Sequence, residues 1–281
     1  MTETSAKPFD LASVPIGLTR DSEEFRTSTH RFAQFAKSVD DSNPKHLAGA
    51  IGSPVFAHIP VMQSMVEVLQ RATGEFILHG EHDFVFHAPM LPGQRWFSQS
   101  KLVGAKATRA GVVFIIRSDT RTHDGKPVST QYSSCLARGL SASGAVGEAL
   151  PARPATPAGD AVSSRYPLAA DQTRRYADAA RDYSPYTLDP AAAAKVGFPA
   201  PLVHGMLTMA LAGRAVVDGP AGGDMARLKR LGGRFANPLL LTPGQAVTVS
   251  LRSSPGGIVG FEAADAAGST VISNGYAEVV A

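Results

Sequence analysis

The sequence predicts an α+β protein made of two tandem copies of one unit, each an antiparallel sheet curled around a long helix. Three observations predict it. Short motifs recur in the same order in both halves of the 281 residues. A stretch rich in Ala, Gly, Pro and Ser, residues 141–164, separates the halves and reads as a linker. In each half a long apolar segment is followed by β-forming segments divided by turn residues, an order that suggests a sheet packed on a helix.

The repeat is visible by direct alignment. Phe35-Ala-Lys-Ser-Val-Asp-Asp41-Ser-Asn-Pro44-Lys-His46 matches Tyr176-Ala-Asp-Ala-Ala-Arg-Asp182-Tyr-Ser-Pro185-Tyr-Thr187 without a gap, at an offset of 141. Phe86-His-Ala-Pro89-Met-Leu-Pro92-Gly93-Gln94 matches Phe235-Ala-Asn-Pro238-Leu-Leu-Leu-Thr-Pro243-Gly244-Gln245, where the offset has grown to 149 and then 151. Surface insertions produce such growth. Any one of these pieces alone, Pro-Gly-Gln above all, would be only a turn.

The elements follow in order. Each half opens with a short helical stretch and a proline-containing loop. Residues 59–72 carry Val61, Met62, Met65, Val66 and Leu69 at helical spacing, which predicts one buried face, and residues 202–217 are the second-half counterpart. Met62, Met65, Met206 and Met209 are read as core. Residues 101–103, 112–116 and 129–136 then read as strands, divided by Gly111 and by His123-Asp-Gly-Lys. The second half answers with 246–251, 258–263 and 270–280. Two such units pairing their sheets would leave a ligand cleft between the halves.

Composition bounds the function classes. Hydrophobic residues make up 44% of the chain, as in ordinary soluble globular proteins, and no stretch approaches eighteen uncharged apolar residues. The N-terminal residues 1–10 are polar and lack the apolar core of a secretion signal. The single cysteine, Cys135, excludes an internal disulfide framework and a cysteine-based metal cluster. These features predict a cytoplasmic protein without a membrane partner. The net charge of +3 is scattered, and its densest cluster, four basic residues within 227–234, lacks aromatic interleaving, so no nucleic-acid partner is predicted.

The chemistry centres on Asp41-Ser-Asn43-Pro-Lys-His46. A carboxylate and an imidazole five residues apart across a proline-fixed loop can share a pocket, deprotonate a water and return a proton to carbon. Asp-x-Asn-Pro is by itself also a common turn sequence. His204 precedes a helix start and either faces substrate or is satisfied by a backbone hydrogen bond. His79, His82 and His87 lie close together without the companions of a metal motif and are read as strand or surface residues, so no metal is predicted. The glycines between 219 and 223 lack the Lys-Ser/Thr of a phosphate loop.

The second half, from Tyr176-Ala and Asp182-Tyr-Ser-Pro185-Tyr-Thr187-Leu-Asp-Pro190 to Pro201-Leu-Val-His204-Gly205-Met206, resembles the MaoC-like (R)-specific enoyl-CoA hydratases. With the weaker first copy, the likeness covers nearly the whole chain outside the linker and N-terminal tail. The resemblance implies a double hotdog fold and reversible hydration of a trans-2-enoyl thioester to a 3-hydroxyacyl thioester. It implies that the Asp and His of Asp-x-Asn-Pro-x-His activate water and that the His-Gly glycine N–H holds the thioester oxygen. Gly205 matches that glycine.

The two copies depart from the pattern in complementary ways. The second half has Thr187 at the histidine position and Ser184 at the asparagine position, while the first keeps Asp41, Asn43 and His46 but lacks His-Gly-Met. Three arrangements stay open: Asp41 and His46 work with a different N–H, Asp182 works with another partner, or binding survives without hydration. The expected layout is a first unit over 1–140, a linker over 141–164 and a second unit over 165–281. The expected catalytic residues are Asp41, His46 and Asp182. Asn43, Thr187, His204 and Gly205 are expected to bind substrate. No cofactor is called for. The partners implied are an acyl-CoA or an acyl carrier protein thioester, and the assemblies implied are a homodimer or a hetero-complex with another hotdog protein. A binding subunit without activity, or a hotdog thioesterase, is the alternative function.

Overall fold

The structure, a computed structural model, describes residues 6–75 and 77–280, so Met1–Ser5 of the polar N-terminal tail lie outside the described residues. The first half contains α1 (Thr29–Ser38), a one-turn α2 (Pro44–Leu47) and the long α3 (Ile59–Thr73). Strands β1 (Ile77–Phe86), β2 (Arg95–Thr108), β3 (Gly111–Thr122) and β4 (Pro127–Ala137) follow. The second half begins with strand β5 (Val162–Pro167) and repeats the plan: α4 (Gln172–Ala180), a one-turn α5 (Pro185–Leu188), the inserted α6 (Pro190–Lys195) and the long α7 (Gly205–Asp218). Its sheet is completed by β6 (Leu228–Phe235), β7 (Ala246–Ser253), β8 (Ile258–Ala264) and β9 (Thr270–Val279).

Among the described residues the strands form a twelve-stranded sheet, whose main path runs β5-β7-β8-β9-β6-β1-β4-β3-β2 and ends on Thr19–Asp21, and a two-stranded parallel pair of Lys7–Pro8 with Leu140–Ser141. The two halves therefore share a sheet, joined where β6 pairs antiparallel with β1, Leu231 opposite Phe84 and Gly233 opposite His82. Helix α3 packs on β2 and β3, and α7 on β6 to β9, so each half wraps its own helix. This is the expected α+β double hotdog architecture.

The buried stripe of α3 is Val61, Met65, Val68 and Leu69, at i, i+4, i+7 and i+8. Val66, expected on that face, is 40% exposed, and Met62 is half-buried. Met65, Met206 and Met209 are core residues as expected. The second long helix begins at Gly205 rather than at residue 202, because Leu202 and Val203 are still extended, Val203 N–H donating to Leu239 C=O at 2.8 Å. The Pro-Gly-Gln turns place Gly93 at φ 81° and Gly244 at φ 77°, and each leads directly into a strand, β2 and β7.

Two polar segments of the sequence meet at the junction of the halves. The basic cluster at 227–234 makes up most of β6, the strand at the junction. Arg230 lies over the sheet with Nη2 donating to Asp83 Oδ2 at 2.7 Å and its guanidinium 4.9 Å from the Tyr276 ring. A side chain at Gly232 would meet that ring at 2.5 Å, which is why the strand narrows to glycine there. The histidine-bearing segment over 77–86 is the other junction strand, β1, and His82 is buried in it.

The cores also cross the junction. Phe35 of α1 and Tyr176 of α4, matched at the offset of 141, meet edge to face at 5.8 Å. Gln172 Nε2 donates to Ser38 C=O at 2.7 Å, and Arg175 Nη1 donates to Asp40 Oδ1 at 2.8 Å. These contacts fix the segments that carry both candidate motifs.

Candidate active sites

Each motif aspartate is set by the same device. Asp40 at φ 49° and Arg181 at φ 58°, again 141 residues apart, take the left-handed conformation that side-chain-bearing residues seldom adopt. Each ends its helix and turns the next residue inward. Asp41 Oδ1 then accepts the Asn43 N–H at 2.8 Å, and Asp182 Oδ1 accepts the Ser184 N–H at 3.2 Å. The proline at the next position starts a single helical turn, α2 or α5.

In the first half that turn delivers His46 to Asp41. Nδ1 lies 2.7 Å from Asp41 Oδ2, and both side chains are almost completely buried, at 1% and 2% exposure. A carboxylate oxygen accepts, so Nδ1 carries the hydrogen of this contact, and in the neutral ring the lone pair is at Nε2. Nε2 is buried and has no protein partner. Asn43 does structural work on both sides: its Oδ1 caps α2 through the Lys45 N–H at 3.0 Å, and its Nδ2 donates to Gly223 C=O at 2.9 Å. The glycine-rich stretch after α7 thus supplies an anchor for the first-half motif.

The far end of α7 completes the enclosure. Arg214 donates from Nη1 to Asp40 C=O and from Nη2 to Ser42 Oγ at 2.9 Å, while its Nε donates to Asp218 Oδ2 at 3.3 Å. Burial and the facing Asp41 carboxylate raise the Asp218 pKa. The dyad therefore belongs to the first half by sequence and is walled by the second.

In the second half the turn delivers Thr187 instead. Its hydroxyl donates to Ser184 C=O at 2.7 Å, and His204 Nε2 lies 2.9 Å from Thr187 Oγ1 and 3.1 Å from Asp182 C=O. His204 is 4% exposed, its ring 4.9 Å from Tyr176, and its Nδ1 is buried without a partner. Burial lowers its pKa, against the pull of Asp182. Gly205 is the first residue of α7, and a side chain there would press on the Phe235 ring at 3.3 Å. Leu207 and Thr208 N–H donate to His204 C=O, and the Gly205 N–H stands at the positive end of the helix dipole.

The structure does not bring Gly205 to the Asp41–His46 dyad. The dyad loop touches Arg214 and the residues beyond α7, whereas Gly205 starts that helix, about 14 Å of helix axis before Arg214. The first-half counterpart of Gly205 is Pro54. Gly52 N–H donates to Met90 C=O as Val203 N–H does to Leu239 C=O, and Ser53 and His204 are each the N-cap of the next helical segment. Proline has no N–H, so the first half offers no donor at that position.

Next to the second-half site stands a histidine cluster that the sequence did not connect to it. His58 lies 5.0 Å from His82 and His82 5.1 Å from His79, ring centre to ring centre. His79 in turn lies 5.0 Å from Phe235. Burial lowers the His58 pKa to about 4, with Asp182 opposing, and that of His79 to about 3. His82 Nε2 is held by Gln131 Oε1 at 3.0 Å, and His87 pairs with Thr130 outside the cluster. Among the described residues no three His, Cys, Asp or Glu side chains are grouped to hold a metal ion.

Comparison with known proteins agrees with this architecture. Residues 153–272 match the MaoC like domain. The chain is 26% identical over 245 residues to the probable enoyl-CoA hydratase 2 of Dictyostelium discoideum, covering 80% of this chain and 82% of that protein. It is 29% identical over 219 residues to the 3-hydroxyacyl-thioester dehydratase Y of Mycobacterium tuberculosis, covering 73% of each. A crystal structure of a MaoC-like dehydratase from Phytophthora capsici superposes with a TM-score of 0.86 at 21% identity, covering 97% of this chain and 98% of that one. A Mycobacterium tuberculosis protein described as a double hotdog superposes at 0.61 with 14% identity, covering 95% and 96%. The second half of the chain thus matches the MaoC like domain, and the chain as a whole has the double hotdog fold of these neighbours.

Proposed function

We propose that this chain is a hydro-lyase interconverting a trans-2-enoyl thioester and a 3-hydroxyacyl thioester, and that the Asp41–His46 dyad carries acid–base chemistry for it. The observation that carries the reading is the buried 2.7 Å pair whose outer nitrogen, His46 Nε2, has no partner. Nε2 takes a proton from water as the oxygen adds to the β-carbon. Asp41 holds Nδ1–H and stabilises the imidazolium, which then returns the proton to the α-carbon. Support comes also from the relatives, whose names describe a hydratase and a dehydratase of such thioesters.

The thioester is proposed to be carried on CoA or on an acyl carrier protein, which share the phosphopantetheine arm. No cofactor enters these steps. A cytoplasmic setting, the unit boundaries near 140 and 165, and a homodimer or a hetero-complex with another hotdog protein belong to the same proposal; the single cysteine suits a reducing compartment.

The test is hydration of a short trans-2-enoyl-CoA by the purified chain, followed as loss of the enoyl absorbance. His46→Gln is expected to lower it, and a rate equal to the wild type would sink the dyad assignment. Pro54 favours a second reading, an acyl-thioester-binding subunit without turnover of its own. That protein would bind acyl-CoA yet hydrate nothing until a partner is added. Release of free thiol from a saturated acyl-CoA would instead mark a thioesterase.

A further inference from the structure

Thr187 looks, by alignment, like the loss of a catalytic histidine. The geometry points to an exchange. The two positions that face each other in the second half are Thr187 and His204, in contact at 2.9 Å. Their counterparts in the first half are His46 and Ser53, the one by the offset of 141 and the other as the matching helix N-cap. Each half therefore keeps one aspartate, one imidazole and one hydroxyl, with the imidazole and the hydroxyl trading places. Ser53 Oγ is itself buried without a partner, in the half whose imidazole has a free nitrogen.

Hydrogen-bond bookkeeping fixes the state of His204. The Thr187 hydroxyl has one hydrogen, and it goes to Ser184 C=O. The Asp182 carbonyl can only accept. His204 Nε2 must then be the donor to both, and the neutral ring carries its lone pair on Nδ1. That atom is buried, unpartnered, and belongs to the N-cap residue of α7, directly before Gly205. Thr187 does for His204 what Asp41 does for His46: it fixes which nitrogen is bare.

We propose that the second half holds an additional acid–base centre in which His204, oriented by Thr187 and the Asp182 carbonyl, replaces the missing motif histidine beside the Gly205 N–H. The inference rests on the hydratase reading and extends it. The Asp182 carboxylate positions a water, and His204 Nδ1 takes its proton while the C–O bond forms at the β-carbon. The alkene electron pair moves onto the thioester oxygen at the Gly205 N–H. The imidazolium then delivers the proton to the α-carbon, so one water is added and nothing else is consumed. The low pKa of buried His204 keeps it neutral and ready to accept.

Two independent centres make a quantitative signature, because their rates add, whereas a residue that merely supports the fold scales all activity together. Enoyl-CoA hydration is measured for the wild type, His46→Gln, His204→Gln and the double variant, with Thr187→Val as a probe that leaves His204 in place. The expected result is that His46→Gln retains activity and that the two single-variant rates sum to the wild-type rate. Adding His204→Gln to His46→Gln should lower the remainder about 100-fold or more. Thr187→Val on the His46→Gln background should lower kcat and shift its pH profile, since one of the two acceptors that hold the His204 Nε2–H is lost. The proposal is overturned if His46→Gln alone has no hydration, or if His204→Gln leaves the His46→Gln rate unchanged. A His46→Gln rate equal to the wild type would remove the dyad reading and leave the second centre standing. A wild type without hydration would remove both.

Discussion

Single residues decide what each half can do, and the pair Pro54 and Gly205 shows how sharply. Both stand at the first position of a helix, where proline is well tolerated and glycine is not required by the backbone. Only glycine brings an N–H. Replacing Gly205 by Pro copies the first half into the second, removing the donor while leaving α7 able to form. We expect hydration on the His46→Gln background to fall about 100-fold, in line with the loss of one oxyanion donor, while far-UV circular dichroism stays unchanged. A fall in Tm of many degrees would assign Gly205 to packing against Phe235 instead. At this scale the sequence was partly legible. Asp41, Asn43 and His46 are read directly from their spacing, and the loss of the motif histidine at Thr187 is equally plain. That Thr187 meets His204, seventeen residues on and past an inserted helix, is a contact that spacing does not encode.

Among the elements, the junction strands were the hardest to read. β6 carries Lys229, Arg230 and Arg234, and β1 carries His79, His82, Glu81 and Asp83, so neither shows the apolar run of a central strand. The reason is that their polar side chains satisfy one another across the ladder. Asp83 is 7% exposed and is held by Arg230, with Glu278 and the Ala152 carbonyl as further partners of the same guanidinium. Removing one side of a buried pair leaves the other charge unpaired. Arg230→Ala should therefore destabilise the protein by about 3 kcal/mol in urea unfolding. Asp83→Asn with Arg230→Met should recover most of the loss, because no orphaned charge remains. Equal destabilisation by both variants would show that the pair is not what holds β1 to β6. The helices, by contrast, were legible to within a turn, since their apolar spacing is a local property; Val66 is the instructive miss, at the expected spacing but turned from the sheet because α3 presents its Val68 edge instead.

For the molecule as a whole, the buried histidines give a handle on stability. His58, His79 and His82 all have pKa values lowered by burial, His58 to about 4 and His79 to about 3. Each is neutral when folded and takes up a proton on unfolding once the pH drops below the ordinary histidine value near 6.5. The unfolded state then binds more protons, so stability falls as the pH is lowered from about 6.5 through about 4. Thermal melting between about pH 7 and about pH 5 should show Tm decreasing, and His58→Gln should flatten the slope. A variant with the wild-type slope would mean that other groups carry the acid sensitivity.

The sequence by itself determined the duplication, the α+β character of each unit, the long helix each wraps and the first-half dyad. All of these rest on local spacing or on side-by-side repeats, which a linear chain displays. The tertiary structure alone decided that the halves share one sheet through a charged strand pair. It also placed the Asp41–His46 dyad at the opposite end of α7 from Gly205 and set His204 at the side of Thr187. Those outcomes depend on which distant groups satisfy each other's buried charges and hydrogen bonds, and that is settled only when the chain has closed on itself.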